Sequence, residues 1–277
     1  MRGESVNLNA DEAWSGNAGD MWSKAQPIVD ALFQPIDQDL VDWVRPHAPR
    51  RILDVGCGAG STLRTLTQAL GVDAAGIDVS AAQLEVARQQ ANAERLDLNW
   101  LHGDAQHHEF ERGEFDLLVS RFGLMFFEQP VAAFENLRHA TRTGGLLAAV
   151  AWRGMAHNPF MTAAEAAAAA HLPGLPARAD HEPGQFAFAD EQRVRTMLQQ
   201  AGWQRVHIVP VEYDCVMPES DLVRYFSLLG PVARALTRVD APTREKVTAH
   251  VRDAFQPFVH GNQVRFSAAC WKIQAQA

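Results

Sequence analysis

The stretch Ile52-Leu53-Asp54-Val55-Gly56-Cys57-Gly58-Ala59-Gly60 constrains this chain more than any other. An apolar run of strand length ends in three glycines at alternate positions. Residues 61–69 then read as a helix, with Leu63, Leu66 and Leu70 at helical spacing. Glycine adopts positive φ and lets a ligand approach the backbone. The helix that follows offers unpaired N–H groups and the positive end of its dipole. Strand, glycine turn and helix in succession predict an open α/β sheet with a ligand at its edge.

The flanking pattern agrees. A second strand covers 74–78, and Ser80 caps a helix in which Leu84 and Ala87 share a face. Residues 98–101 form a third strand ending at Gly103-Asp104, and 115–120 a fourth. Val131, Phe134 and Leu137 mark the next helix, and Gly144-Gly145 opens a fifth strand over 146–152. Such alternation predicts a parallel sheet flanked by helices. Beyond it, 156–170 and 191–201 read as helices, 173–183 as a loop, and 206–211 and 264–271 as the last strands. Helical patterns over 220–236 and 242–258 lie between those strands.

Length and composition set the class. With 277 residues, 47% of them hydrophobic, the chain buries a full core without disulfides or metals. Cys57, Cys215 and Cys270 show no pairing or metal-binding spacing, and a reducing cytoplasm is the expected location. The N-terminus lacks an apolar signal core, and no apolar run reaches membrane-spanning length, so membrane insertion is not expected. A net charge of −8 repels nucleic acid; Arg45, Arg50 and Arg51 form the nearest thing to a basic cluster. The expected partner is a small molecule, with oligomeric state left open. Adjacent His107 and His108 are poorly placed to chelate one ion, and no metal is expected.

The glycine spacing separates two ligand classes. A dinucleotide fingerprint needs Gly-x-Gly-x-x-Gly, but Ser61 occupies the place of its last glycine. Asp54 stands two residues before the first glycine, and a carboxylate there suits an ammonium or sulfonium ligand better than a pyrophosphate.

At these residues the chain resembles the class I S-adenosylmethionine methyltransferases, in particular the ubiquinone/menaquinone C-methyltransferase-like group. The matching pieces are Asp54 to Gly60, Gly76-Ile77-Asp78-Val79-Ser80, Gly103-Asp104-Ala105, Phe115 to Gly123, and Gly144-Gly145, in the family's order over roughly 50–152. A looser match covers Trp14, Gly19 and Trp22 ahead of the core and Pro183 to Phe188 behind it. Thr143 departs from the proline common before the paired glycines.

The resemblance implies a Rossmann-like α/β fold with a seven-stranded, mostly parallel sheet, helices on both faces, and a helical lid between the last two strands. It implies one domain over 1–277, with a helical cap at 1–45, a cofactor core at 50–152, and lid or pocket segments at 153–190 and 214–260. S-adenosylmethionine is the implied cofactor and S-adenosylhomocysteine the product. Gly56, Gly58 and Gly60 are expected beneath its methionine and ribose, with Asp54 nearby. Asp78, with Val79 and Gln83, is expected at the ribose, and Asp104 and Ala105 at the adenine between Ile77 and Leu84. Ser120 and Arg121 close the cofactor end, and Trp14 and Trp22 cover it. Phe126, Trp152 and Tyr225 are expected to line an apolar acceptor pocket, among Met125, Phe127, Phe226 and Leu229.

The expected reaction is in-line methyl transfer to oxygen, nitrogen, sulfur or carbon of a small, largely apolar or aromatic metabolite. His157, His171 and Tyr225 are the candidate bases, and no spacing singles one out. Ser120-Arg121-Phe122-Gly123 replaces the Asn/Asp-Pro-Pro-aromatic pattern of base-flipping enzymes, which argues against base methylation. The alternatives are an RNA or protein methyltransferase, a nicotinamide oxidoreductase, and a cofactor-binding cyclase or regulator that leaves the methyl in place.

Overall fold

Alternating side chains of one strand, β1 (Arg51–Val55), enter two different cores. Ile52 packs with Leu63, Leu66, Leu117 and Val119, while Leu53 and Val55 join Leu118, Leu147 and Phe134. A strand buried on both faces reads as a continuous apolar run and needs helices on both sides. The structure, a computed structural model, describes residues 17–172, 174–175 and 182–277; Trp14 lies outside them, and only the backbone of Trp22 is described.

Around β1, the strands β2 (Asp73–Asp78), β3 (Asn99–His102), β4 (Phe115–Arg121) and β5 (Thr141–Trp152) run parallel in the order β3-β2-β1-β4-β5. β6 (Gln204–Pro218) forms the far edge. After the two-residue β7 (Val259–His260) comes β8 (Gln263–Gln276), which pairs antiparallel with β5 on one side and β6 on the other. The expected seven-strand path is present. The sheet has eight strands because β7 adds a short hairpin to β8. Two residues are too few to leave a periodic signal.

The helices are α1 (Asn17–Val44), α2 (Ser61–Leu70), α3 (Ala81–Ala93), α4 (Pro130–Ala140), α5 (Pro159–Ala168), α6 (Glu191–Gln200), α7 (Leu222–Leu228), α8 (Gly230–Leu236) and α9 (Ala241–Ala254). The helical pattern over 220–236 breaks where Leu229 is extended and Gly230 takes φ +82°. Helices α7, α8 and α9 lie between β6 and β7; α7 packs on α1 and α9 on α5. No helix among the described residues is long and apolar enough to cross a membrane.

Candidate active site

The sheet order sets a row of chemistry along one edge. Asp104 follows β3, Asp78 ends β2, the glycine turn leaves β1, Arg121 ends β4 and Trp152 ends β5. Adjacent strands lie ~4.8 Å apart, so β3 to β4 spans roughly 14 Å. That is the reach of a nucleoside carrying an extended side chain. A cavity of about 600 Å³ opens over this edge, where open α/β sheets bind ligands. Its walls include Asp54, Gly56, Gly58, Asp78, Val79, Gln83, Asp104, Ala105 and Arg121, and further along Phe126, Trp152 and Tyr225.

Gly60 and Ser120 do not line it. A Cβ on Gly60 would meet the Trp100 ring at 2.3 Å, and the residue holds φ +77° as α2 begins. Close packing of α2 explains this glycine. Ser120 is fully buried; its hydroxyl donates to Val55 O at 2.7 Å and accepts from Gly123 N at 3.2 Å. It staples the loop after β4 to the end of β1. The two loops touch backbone to backbone, since a Cβ on Gly56 (φ +69°) would lie 2.7 Å from Gly123 Cα. Leu84 also lies away from the cavity, buried in the α3 core, whereas Ile77 lines it.

Three aspartates face the cavity with different partners. Asp78 accepts from Gly58 N and Ser80 N, both at 2.8 Å. A carboxylate offers about four lone-pair sites, so its backbone bonds do not fill it. Burial raises its pKa above the usual range, against those backbone bonds. Asp104 accepts from the backbone and side-chain nitrogens of Gln106, each at 2.9 Å. Asp54 is 1% exposed, and neither carboxylate oxygen has a donor among the described residues. Burial pushes it up to about 8; Arg121 opposes the shift, while Asp37 and Asp78 add to it.

Arg121 lines the cavity and also pairs with Asp37 of α1 at 2.7 Å, with its guanidinium 5.9 Å from the Phe33 ring centroid. Phe122 takes φ +68° and stacks on Trp152 at 4.4 Å, and Phe33 meets both edge-on. A non-glycine residue held there costs about 1–3 kcal/mol and persists only where its surroundings fix it. Beyond this trio the cavity is walled by Phe160, Met161, Tyr225, Phe226 and Phe255. Tyr225 is buried, its hydroxyl 3.7 Å from Met161 Sδ. Of the other candidate bases, His157 contacts Arg153 and His171 meets His250 edge-on; neither lines the cavity.

Sequence reasoning passed over Gln26, Phe33, Asp37, Thr62, Gln106 and Phe122. Gln26, Phe33 and Asp37 stand seven and four residues apart, on one otherwise apolar face of α1. A polar residue on such a stripe was the available signal. Gln106 is the second residue after Asp104 and turns the chain on it; its Oε1 accepts from Gln129 N at 2.8 Å. His107 is exposed and the His108 ring packs edge-on against Phe110. A second cavity of about 430 Å³ lies at the opposite end of the strands, beside His47, Asp116 and Arg142, and holds none of the expected site residues.

Residues 52–145 match the family model described as a methyltransferase domain. The ubiquinone/menaquinone biosynthesis C-methyltransferase of Dinoroseobacter shibae is 29% identical over 178 residues, covering 60% of this chain and 71% of that protein. This chain is a class I S-adenosylmethionine-dependent methyltransferase. A second relative of the methyltransferase is the aklanonic acid methyltransferase of a Streptomyces species, strain C5. It is 29% identical over 120 residues, 42% of this chain and 54% of its own. Among solved structures, the [4+2]-cyclase SpnF superposes on the methyltransferase with a TM-score of 0.57 over 97% of both chains, at 18% identity. That likeness is one of fold.

Proposed function

We propose that the methyltransferase binds S-adenosylmethionine along the row of strand ends and directs its methyl group to a small, largely apolar acceptor beside Trp152. The observation that carries this reading is Asp54. A buried carboxylate with no donor costs several kcal/mol unless a ligand brings one, and the ammonium of the cofactor's methionine moiety fits that demand. The remaining lone-pair capacity of Asp78 suits the ribose hydroxyls. Asp104, Ala105 and Ile77 then flank the adenine, Val79 and Gln83 flank the ribose, and Gly56 and Gly58 leave the backbone open beneath it.

When bound, the cofactor supplies a methyl group already activated on a sulfonium. The chain's work is therefore positional: it holds the acceptor in line with the methyl and excludes water with the Phe33, Phe122 and Trp152 rings. A base is needed only if the acceptor atom must lose a proton; of the three candidates, Tyr225 alone faces the cavity. The acceptor side is built by the segments at 153–190 and 214–260, through Phe160, Met161, Tyr225 and Phe226. Their apolar character suits an aromatic or polyketide-like molecule. Two relatives named for quinone biosynthesis and for aklanonic acid support a small-molecule acceptor.

Paired calorimetric titrations with S-adenosylmethionine and a nicotinamide dinucleotide test the reading. Saturable binding of the first alone is expected. Binding of the dinucleotide instead would overturn it.

A further inference from the structure

Asp37 lies on α1, away from the strand ends, yet its side chain is nearly sealed from solvent and meets three donors. Oδ1 accepts from the Thr62 hydroxyl at 2.7 Å; Oδ2 accepts from the Ser61 hydroxyl at 3.2 Å and from Arg121 Nη1 at 2.7 Å. Ser61 and Thr62 open α2 just past the glycine turn, and Arg121 ends β4. One carboxylate from the first helix thus ties together the two elements that flank Asp54. Phe33, one turn earlier on α1, steadies the same guanidinium from its ring face.

The pair occupies only part of Arg121. Nη1 is committed to Asp37, while Nε and Nη2 have no acceptor among the described residues, and the side chain faces the cavity. A guanidinium fixed on one side presents its remaining donors as a planar fork, the geometry that binds a carboxylate. Among the described residues, the other cation on the cavity wall, Arg234, belongs to α8 on the acceptor side. An amino acid moiety carries an ammonium and a carboxylate on one carbon, and Asp54 and Arg121 stand at the ends of adjacent strands.

We infer that Asp37 is a positioning residue: it holds Arg121 so that the guanidinium's open donors receive the carboxylate of the cofactor's methionine moiety. The inference rests on the cofactor reading above. It gives α1 a role beyond covering the sheet, because the helix sets the cation that distinguishes a ligand with a carboxylate from one without.

The test compares S-adenosylmethionine with its decarboxylated analogue, which keeps the nucleoside, sulfonium and amino group. Dissociation constants are measured by calorimetry on the full chain, wild type and Asp37→Asn, with thermal unfolding followed in parallel. Wild type is expected to prefer the carboxylate-bearing ligand by about 10-fold or more, the worth of a charge-assisted hydrogen bond. Asp37→Asn is expected to lose most of that preference by weakening S-adenosylmethionine while leaving the analogue nearly unchanged. Arg121→Lys keeps the charge but not the fork, and is expected to lose the preference too, which covers the case of an unstable Asp37 variant. Equal weakening of both ligands, or of neither, would overturn the inference and leave Asp37 a structural residue. Wild-type protein that binds neither ligand would overturn the cofactor reading itself.

Discussion

Because burial pushes Asp54 up to about 8, cofactor affinity should follow pH with a defined slope. Below that value the ligand-free enzyme carries a protonated Asp54, and an ammonium can settle there only by displacing the proton. Well below that value affinity should rise about tenfold per pH unit; because Asp54 is half ionised at pH 8, its ionisation makes the step from pH 6 to pH 8 worth about 50-fold, or roughly 2.3 kcal/mol. Asp78, also raised by burial, adds in the same direction at the acid end. An α-ammonium titrates near pH 8, so the rise should turn over just beyond it. Calorimetry at pH 6, 7, 8 and 9, in buffers of different ionisation heat, reads both affinity and protons. About one proton should be released per cofactor at pH 6, and Asp54→Asn should flatten the acid limb. The same shift affects the ligand-free fold, whose native state holds a proton that the unfolded chain has lost. That contribution to stability is full below about pH 3.9 and is lost as pH rises through about 8. Affinity unchanged between pH 6 and 8, or proton uptake at pH 6, would refute the reasoning.

Three further outcomes follow from the geometry. Asp78→Ala should weaken cofactor binding by about 1–3 kcal/mol while circular dichroism stays native; unchanged affinity would sink the ribose assignment. Ser120→Ala leaves Val55 O and Gly123 N short of a partner, and should lower stability by about 1–2 kcal/mol in thermal or urea unfolding with cofactor affinity little changed. Lost binding at full stability would return Ser120 to a ligand role. Gly56→Ala forces a side chain into positive φ and against Gly123, so a loss of about 1–3 kcal/mol is expected from the backbone alone. A variant as stable as wild type would show that the two loops do not meet.

What the sequence revealed depended on burial. The strands at 52–55 and 115–120 are covered on both faces, and their apolar runs announced them. The glycine turn and Asp78 sit where local geometry and chemistry coincide, and five motifs in register identified the cofactor half. The far half was legible only in outline. β6 extends seven residues beyond the expected 211 to Pro218, through alternating exposed and buried positions, and includes Pro210. The exposed positions of that extension carry Glu212 and Asp214, residue types depleted in strands, and these hid its length. Ser120 and Gly60 matched family motifs, yet their neighbours Val55 and Trp100 give them structural work. Asp37 was hidden for the opposite reason, since an acid on a long helix is ordinarily solvated. Only the return of Ser61, Thr62 and Arg121 to the same point in space shows what it does. The acceptor wall depends on how α5, α7 and α8 meet, which no local pattern encodes.

The most direct test follows the methyl group itself. Purified protein is incubated with methyl-labelled S-adenosylmethionine and fractionated cell extract, and the small-molecule, RNA and protein fractions are counted. Label in a small-molecule fraction, lost in Asp78→Ala, is the predicted result. Label confined to RNA or protein, or tight binding with the methyl left on the cofactor after turnover of a small molecule, would contradict it.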